Sequence, residues 1–223
     1  MPSYSGVFTL QAQMQAKAAS NWPDPNVPTV IGQAFGGGYY AGQIGVSSVA
    51  THYLVVGPVA SAQSTLAWKN VNTATAGADS VIDGPQNTAD IVADGNSTVY
   101  PCAHFCNDLV IGGFSDWYMP AKNELEVCYY NLKPTTASNN TSSGTNTNAV
   151  PSRGSNYTAG TPAQTTAAAF KDTGAEDFTA TSYWCSTEYS ATNGWKQYFS
   201  SGYQNDSAKL NSYLVRAIRR VAV

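Results

Sequence analysis

Apolar and polar positions change period several times along this chain, and each change marks an element. In residues 9–20 (TLQAQMQAKAAS), Leu10, Met14 and Lys17 fall at helical spacing behind Thr9, which can cap. The segment reads as a short helix or, at this length, as a frayed tail. Pro23, Pro25 and Pro28 stiffen the following stretch into an extended linker, with a boundary expected near residue 34. Tyr53–Val59 (YLVVGPV) is a strand by its β-branched content. Two helices follow. Pro101 to about Leu109 sets Ala103, Phe105, Cys106, Leu109 and Val110 on one face; the second starts at Pro120, buries Leu125, Val127, Cys128 and Leu132, and stops at Pro134. Near the end the period drops to two. Tyr183-Trp184 opens a strand; Trp195, Gln197 and Phe199 alternate with Lys196, Tyr198 and Ser200, predicting one core face and one wet face. Gly202 marks a turn, and Tyr213–Val221 forms a last strand with Val215, Ala217 and Ile218 inward.

The segments between are less regular. Gly36, Gly37 and Gly38 are expected to serve bends and close backbone approach, because the Lys and Ser/Thr of a phosphate loop do not follow them. Residues 79–96 scatter Asp79, Asp83, Asp90 and Asp94 among Gly and Asn. Such acids could feed a calcium site, but the odd-position spacing and closing bidentate Glu are missing. They read as solvated turn acids, and no cofactor is expected. Residues 134–166 form a Thr/Asn/Ser-rich insertion, either an ordered surface loop or a disordered one.

Composition narrows the function. Of 223 residues only 11% are charged, under half the usual share, while Ser, Thr, Asn and Gln supply 71. The surface must be built from hydroxyls, amides and the 14 tyrosines. A net charge of −3 without a basic run argues against nucleic acid, and no apolar run is long enough for membrane insertion as a helix. Residues 1–20 lack the basic and apolar regions of a signal peptide, which favours a particle assembled in a cytoplasm over an exported protein. Cys102, Cys106, Cys128 and Cys185 read as buried free thiols, with a cluster through His104 as the sharper alternative; their redox state stays open. Only His52 and His104 are present, neither beside a recognisable nucleophile motif, so no enzyme is expected.

The segment Gly112–Leu132 (GGFSDWYMPAKNELEVCYYNL) resembles the signature of the Lcl C-terminal domain family: Asp-Trp, a Pro-started helix, then Glu-Leu. Tyr183–Glu188 (YWCSTE), then Trp195, Phe199, Gly202, Lys209 and the closing Arg216–Arg219 (RAIR), is similar to the same family. Cys185 departs from a more usual Ser, and Tyr118 from a common Arg. The resemblance covers roughly residues 36–223. It implies an α+β, C-type-lectin-like domain with two helices and antiparallel strands, of the kind found in bacterial surface proteins and phage virion proteins. Cyanophage and marine-phage members look nearest, the opening Met1–Leu10 included. Residues 1–34 are then an attachment or oligomerisation segment and linker, and residues 35–223 the domain.

Within that domain Trp117, Trp184 and Trp195 can each anchor a core, burying about 150–250 Å². Glu188, Arg216 and Arg219 are either ordinary surface charge or a bridge tying the YWCSTE strand to the last strand. The non-core positions between Glu188 and Arg216 supply the candidate ligand contacts: Tyr189, Asn193, Lys196, Tyr198, Tyr203, Asn205, Asp206, Asn211 and Tyr213. Tyr gives contact area at low entropy cost, and Asn gives adaptable hydrogen bonds. The expectation is a virion surface protein (fibre, tip or head decoration) that binds a host-surface glycan or protein. It would dock to other virion proteins, and to sister chains as a homo-oligomer such as a trimer, through residues 1–34. A purely structural virion protein or a bacterial cell-surface adhesin are the alternatives.

Overall fold

The computed structural model describes residues 27–223. The expected N-terminal helix and most of the linker lie outside them. Gly36 and Gly37, at φ 55° and 83°, turn strand β1 (Ala34–Phe35) back onto β2 (Gly38–Val46). These left-handed angles suit glycine, which has no Cβ to clash. Ser47 and Ser48, also at positive φ, then form the two-residue turn to β3 (Val49–Val56), a geometry that matches the twist of a hairpin. Two further strands complete the first sheet: β10 (Ile218–Ala222) pairs antiparallel with β3, and β5 (Ala149–Val150) with β2.

A one-turn helix α1 (Val59–Ala62) leads into the second sheet. Its order is β4 (Gln63–Ala67), β9 (Ser212–Arg216), β6 (Ser182–Glu188), β7 (Asn193–Tyr198) and β8 (Gln204–Ala208). Only β6 and β9 run parallel; the other pairs are antiparallel. Helices α2 (Gly84–Asp94), α3 (Pro101–Asn107) and α4 (Lys122–Leu132) complete an α+β fold with mostly antiparallel strands.

The last strand departs from expectation. Tyr213–Val221 is extended, but it breaks at Ala217 and serves both sheets, β9 before the break and β10 after it. Ala217 bonds to neither sheet's ladder there; its N–H goes to Ala62 O at 2.8 Å, and its carbonyl accepts from Gly57 N at 3.0 Å.

Among the described residues three helices are longer than one turn, where two were expected. The extra one, α2, occupies the stretch read as a loop of turn acids. Asp83 caps it by accepting from Gln86 N, and Pro85 sits in its first turn. Its buried positions are Gly84, Asn87, Thr88 and Ile91, so it shows no apolar stripe. Asp90 and Asp94 are therefore helix residues. Among the described residues no group of three or more His, Cys, Asp or Glu could hold a metal ion.

Helix α4 packs between the sheets. Leu125, Val127, Cys128 and Leu132 meet Ala41, Ile44 and Leu54 of the first sheet and Tyr183, Cys185 and Phe199 of the second. A second cluster gathers Trp68, Trp117, Trp184, Ile91, Tyr100, Cys102, Cys106 and Val215. Two of the three expected indoles are thus core. Trp195 is only half-buried, while Trp68 is buried at 1% exposure and donates to Cys185 O at 2.8 Å. All four cysteines are free and buried.

The cations hold this core together more than they decorate its surface. Lys69, Lys133, Lys196, Lys209, Arg216 and Arg219 are all buried. The expected bridge from Glu188 to an arginine of the last strand does not form: Glu188 pairs with Lys209. Each arginine takes a different acid, Arg216 with Glu176, Arg219 with Asp116 and Arg220 with Glu124. The reason is topological. The β6 end that carries Glu188 lies against Thr75 and Lys209, at the open end of the β7–β8 hairpin, whereas β10 faces α4 and the Asp116 loop.

Candidate functional site

The β7–β8 hairpin forms one edge of the second sheet among the described residues and carries most of the candidate contacts. Register fixes which way they point. Lys196 pairs with Trp184 on one side and Asn205 on the other, and Gly194 with Ser207, so Lys196, Asn205 and Ser207 share one face with Tyr198. Trp195 pairs with Asp206 and Asn193 with Ala208, which places Asn193, Trp195 and Asp206 on the opposite face.

On the first face Lys196 is 2% exposed. The wet position predicted from alternation is instead covered by two phenol rings. The ammonium lies 3.8 Å from the Tyr198 ring centre and 5.1 Å from that of Tyr213, and donates to Ser182 Oγ at 3.4 Å. No carboxylate pairs with it among the described residues. An ammonium over aromatic faces is attracted by the ring quadrupole, the more so once desolvated. In return, hydrogen bonding from Lys196 and Ser182 holds the Tyr198 phenol below its ordinary pKa. Tyr203 stacks on Tyr198 at 6.3 Å, and Tyr213 packs edge-on against Trp184 at 4.9 Å. Asn211 Nδ2 donates to Ser207 Oγ, which in turn lies 3.1 Å from Tyr213 Oη. The Asn205 side-chain oxygen is buried without a partner among the described residues.

The other face is smaller. Trp195 lies half-buried under the Lys122 ammonium at 3.9 Å, with Tyr189 edge-on at 5.1 Å. Burial lowers the Lys122 pKa. Asn193 Nδ2 donates to Asp206 Oδ2 at 2.6 Å.

The nine candidates therefore divide: Lys196, Tyr198, Tyr203, Asn205, Asn211 and Tyr213 come together, and Tyr189, Asn193 and Asp206 do not join them. Ser182 and Ser207 complete the first face, and Lys122 the second; no sequence signal marked them, because each is placed by cross-strand register or by a helix from elsewhere. The arrangement offers aromatic faces and hydrogen-bonding groups on a fixed frame. Nucleophiles are poorly served. Burial raises all four thiol pKa values, Cys185 to about 12, and His104 is tied to Gly95 O at 2.7 Å.

Residues 57–219 match the model of the Lcl C-terminal domain. The chain belongs to that family. The matched stretch begins where β3 ends and closes inside β10, so the β1–β3 portion precedes it. Within the Lcl C-terminal domain the signature residues take clear structural parts. Asp116 accepts two bonds from Arg219, at 2.7 and 2.8 Å. Trp117 is buried in the second cluster. Glu124 is wholly enclosed, accepting from Tyr118 Oη at 2.5 Å, Arg220 Nε at 2.7 Å, Ala121 N at 2.8 Å and Gly84 N at 3.1 Å. Tyr118 hands its hydroxyl proton to this carboxylate. Among solved structures the chain is similar to a fimbrial protein from Bacteroides ovatus, with 14% identity and a TM-score of 0.44, over 81% of this chain and 43% of that one. No curated protein matches the sequence.

Proposed function

We propose that this Lcl C-terminal domain is a recognition module displayed on a particle surface, in the manner of a virion fibre, tip or decoration protein. It binds a host-surface glycan or protein through the Tyr198–Tyr203–Tyr213 face of the β7–β8 hairpin. A C-type-lectin-like arrangement, docking to the particle and to sister chains through residues 1–34, and freedom from cofactors are parts of the same reading, and no catalytic step is.

One observation carries it. Lys196 is locked between two tyrosine rings with no counter-ion among the described residues, so those rings are held in fixed positions at a sheet edge and lose little entropy when a ligand lands on them. A ligand that stacks on aromatic faces and bonds to amides and hydroxyls suits such a surface.

Two exposed tyrosines on opposite faces test the assignment. Tyr203→Ala should weaken attachment of the purified protein to susceptible cells at least about tenfold, and Tyr189→Ala should leave it unchanged. Melting temperatures should stay near the parent for both. Equal loss from both would move the site, and attachment unaffected by Tyr203→Ala would favour a purely structural role on the particle.

A further inference from the structure

The insertion at residues 134–166 is built like a second binding site. It packs against the β7–β8 turn: Asn140 N donates to Ser201 O at 2.8 Å, and Gln204 N donates to Ser143 Oγ at 3.0 Å. Its fixed point is Glu126 of α4, a wholly enclosed carboxylate. Tyr157 Oη donates to Glu126 at 2.7 Å, Asn146 Nδ2 at 2.5 Å, and Arg153 Nη2 completes the set. Burying such a pair is expensive even when it is well bonded. Polar loops with few large apolar groups are usually left open, yet this one is closed over a carboxylate.

What the closure presents is a cleft of about 240 Å³. Tyr130, Arg153, Ser155, Asn156, Thr158 and Thr161 line it. The Arg153 guanidinium lies over the Tyr130 ring, 3.9 Å from its centre, with its Nε buried and unpaired among the described residues. An unpaired buried donor is costly and calls for an explanation. Asn156 is oriented by Thr145, whose Oγ1 donates to its Oδ1 at 2.8 Å, and its Nδ2 has no partner among the described residues. The Thr158 Oγ1 accepts from Thr161 N at 3.0 Å and keeps its own proton to give.

We propose that this cleft binds one neutral, hydroxyl-rich ring: a single hexose unit or the terminal unit of a glycan. Three features set that class. Glu126, enclosed beneath the cleft, pairs with Arg153, the one charged residue of the lining, so no uncompensated charge is left to attract a carboxylate or phosphate. The remaining groups are hydroxyls, an amide and a planar guanidinium, which pair with vicinal hydroxyls. The volume lies below the roughly 300–1,000 Å³ of sites for larger ligands, which limits the occupant to one ring. The inference rests on the recognition reading above but concerns a different surface.

The test uses the full chain, isotope-labelled, with amide resonances followed during titration by a panel of neutral methyl hexosides. Saturable shifts confined to residues 153–161 are expected for at least one of them. Asn156→Ala should weaken that binding at least about tenfold with an unchanged melting temperature, and Tyr203→Ala should not touch it. Glucuronate and glucose 6-phosphate should give no tighter response. No saturable shift from any hexoside, tighter binding of the acidic sugars, or full binding by Asn156→Ala would each overturn the proposal. If cell attachment fails to depend on Tyr203 while the hexoside titration succeeds, the hairpin assignment falls and the cleft stands.

Discussion

Arg216 Nη2 lies 2.8 Å from Glu176 Oε2, and that carboxylate is its single ion-pair partner among the described residues. The guanidinium is otherwise spent on carbonyls, Gly57 O at 2.9 Å and Glu176 O at 3.0 Å, and lies 4.8 Å from the Phe178 ring centre. Burial pulls the Arg216 pKa down, and its neighbours offset this. Glu176 also accepts from Val59 N at 2.8 Å, so one side chain joins the start of α1 to the break between β9 and β10.

Truncating Glu176 should therefore unfold the chain readily. Glu176→Ala leaves a buried cation unpaired and is expected to cost about 3–5 kcal/mol. Asp116→Ala should cost only about 1 kcal/mol, because Asp116 is 54% exposed and Arg219 keeps Gly36 O and the Phe114 ring. Urea denaturation ranks the two; equal losses would mean that the depth of the pair is not what sets its worth.

Two lysines do work often given to a bound cation. Lys209 Nζ donates to Thr73 O and Ala191 O, both at 3.0 Å, and to Glu188; Lys69 Nζ donates to Thr73 O at 3.1 Å and Ala74 O at 3.0 Å. The two ammoniums clip the same loop by its carbonyls. Lys209→Met should cost about 3–5 kcal/mol, since it leaves Glu188 without its cation and takes a donor from two carbonyls, Thr73 O and Ala191 O. The parent's melting temperature should be the same in chelator and in millimolar calcium. A clear rise with calcium would show that a metal shares this duty.

Much of this was written in the chain. The α4 helix, the β6 and β7 strands and the Gly36-Gly37 bend follow local rules, a period or a turn residue, and those rules hold in the fold. Helix α2 was not legible, because its buried face is Asn87, Thr88 and Ile91; Asn87 is held by Ser80 O at 2.7 Å and Ser186 Oγ at 3.2 Å, contacts that exist only after folding. Lys196 misled for a similar reason: alternation said wet, and Tyr213, seventeen positions on, covers it. The partners of Arg216 and Arg219 were hidden too, since which acid meets which arginine depends on where the chain changes sheets, and Ala217 gives no local sign of doing so. The Tyr-rich face was legible as composition, its division between two sides of a hairpin only through register.

The thiols offer a direct check on burial. Desolvation raises every cysteine pKa, and thiolate is the reactive form. In native buffer at pH 8 a thiol reagent should label almost none of the four cysteines, and in denaturant all four. Fast labelling of Cys185 in the folded protein would mean that β6 opens from α4.

Acid titration separates the pair at Asp116 from the enclosed glutamates. Hydrogen bonding from Arg219 holds the Asp116 carboxyl below its ordinary 3.8, so its contribution is present above that value and is lost as pH falls through the lowered one. Burial raises Glu124 and Glu126 above their ordinary 4.5, so they act with the opposite sign: they disfavour the fold progressively as pH rises through their raised values. Asp116→Asn alters the first contribution and leaves the second. The parent should exceed the variant in unfolding free energy at pH 7, and the gap should close once pH has fallen below the lowered Asp116 value, where both side chains are neutral. The glutamates titrate in both proteins and cancel from the difference. A gap that stays constant down to that pH would show that the Asp116 charge contributes nothing to holding Arg219.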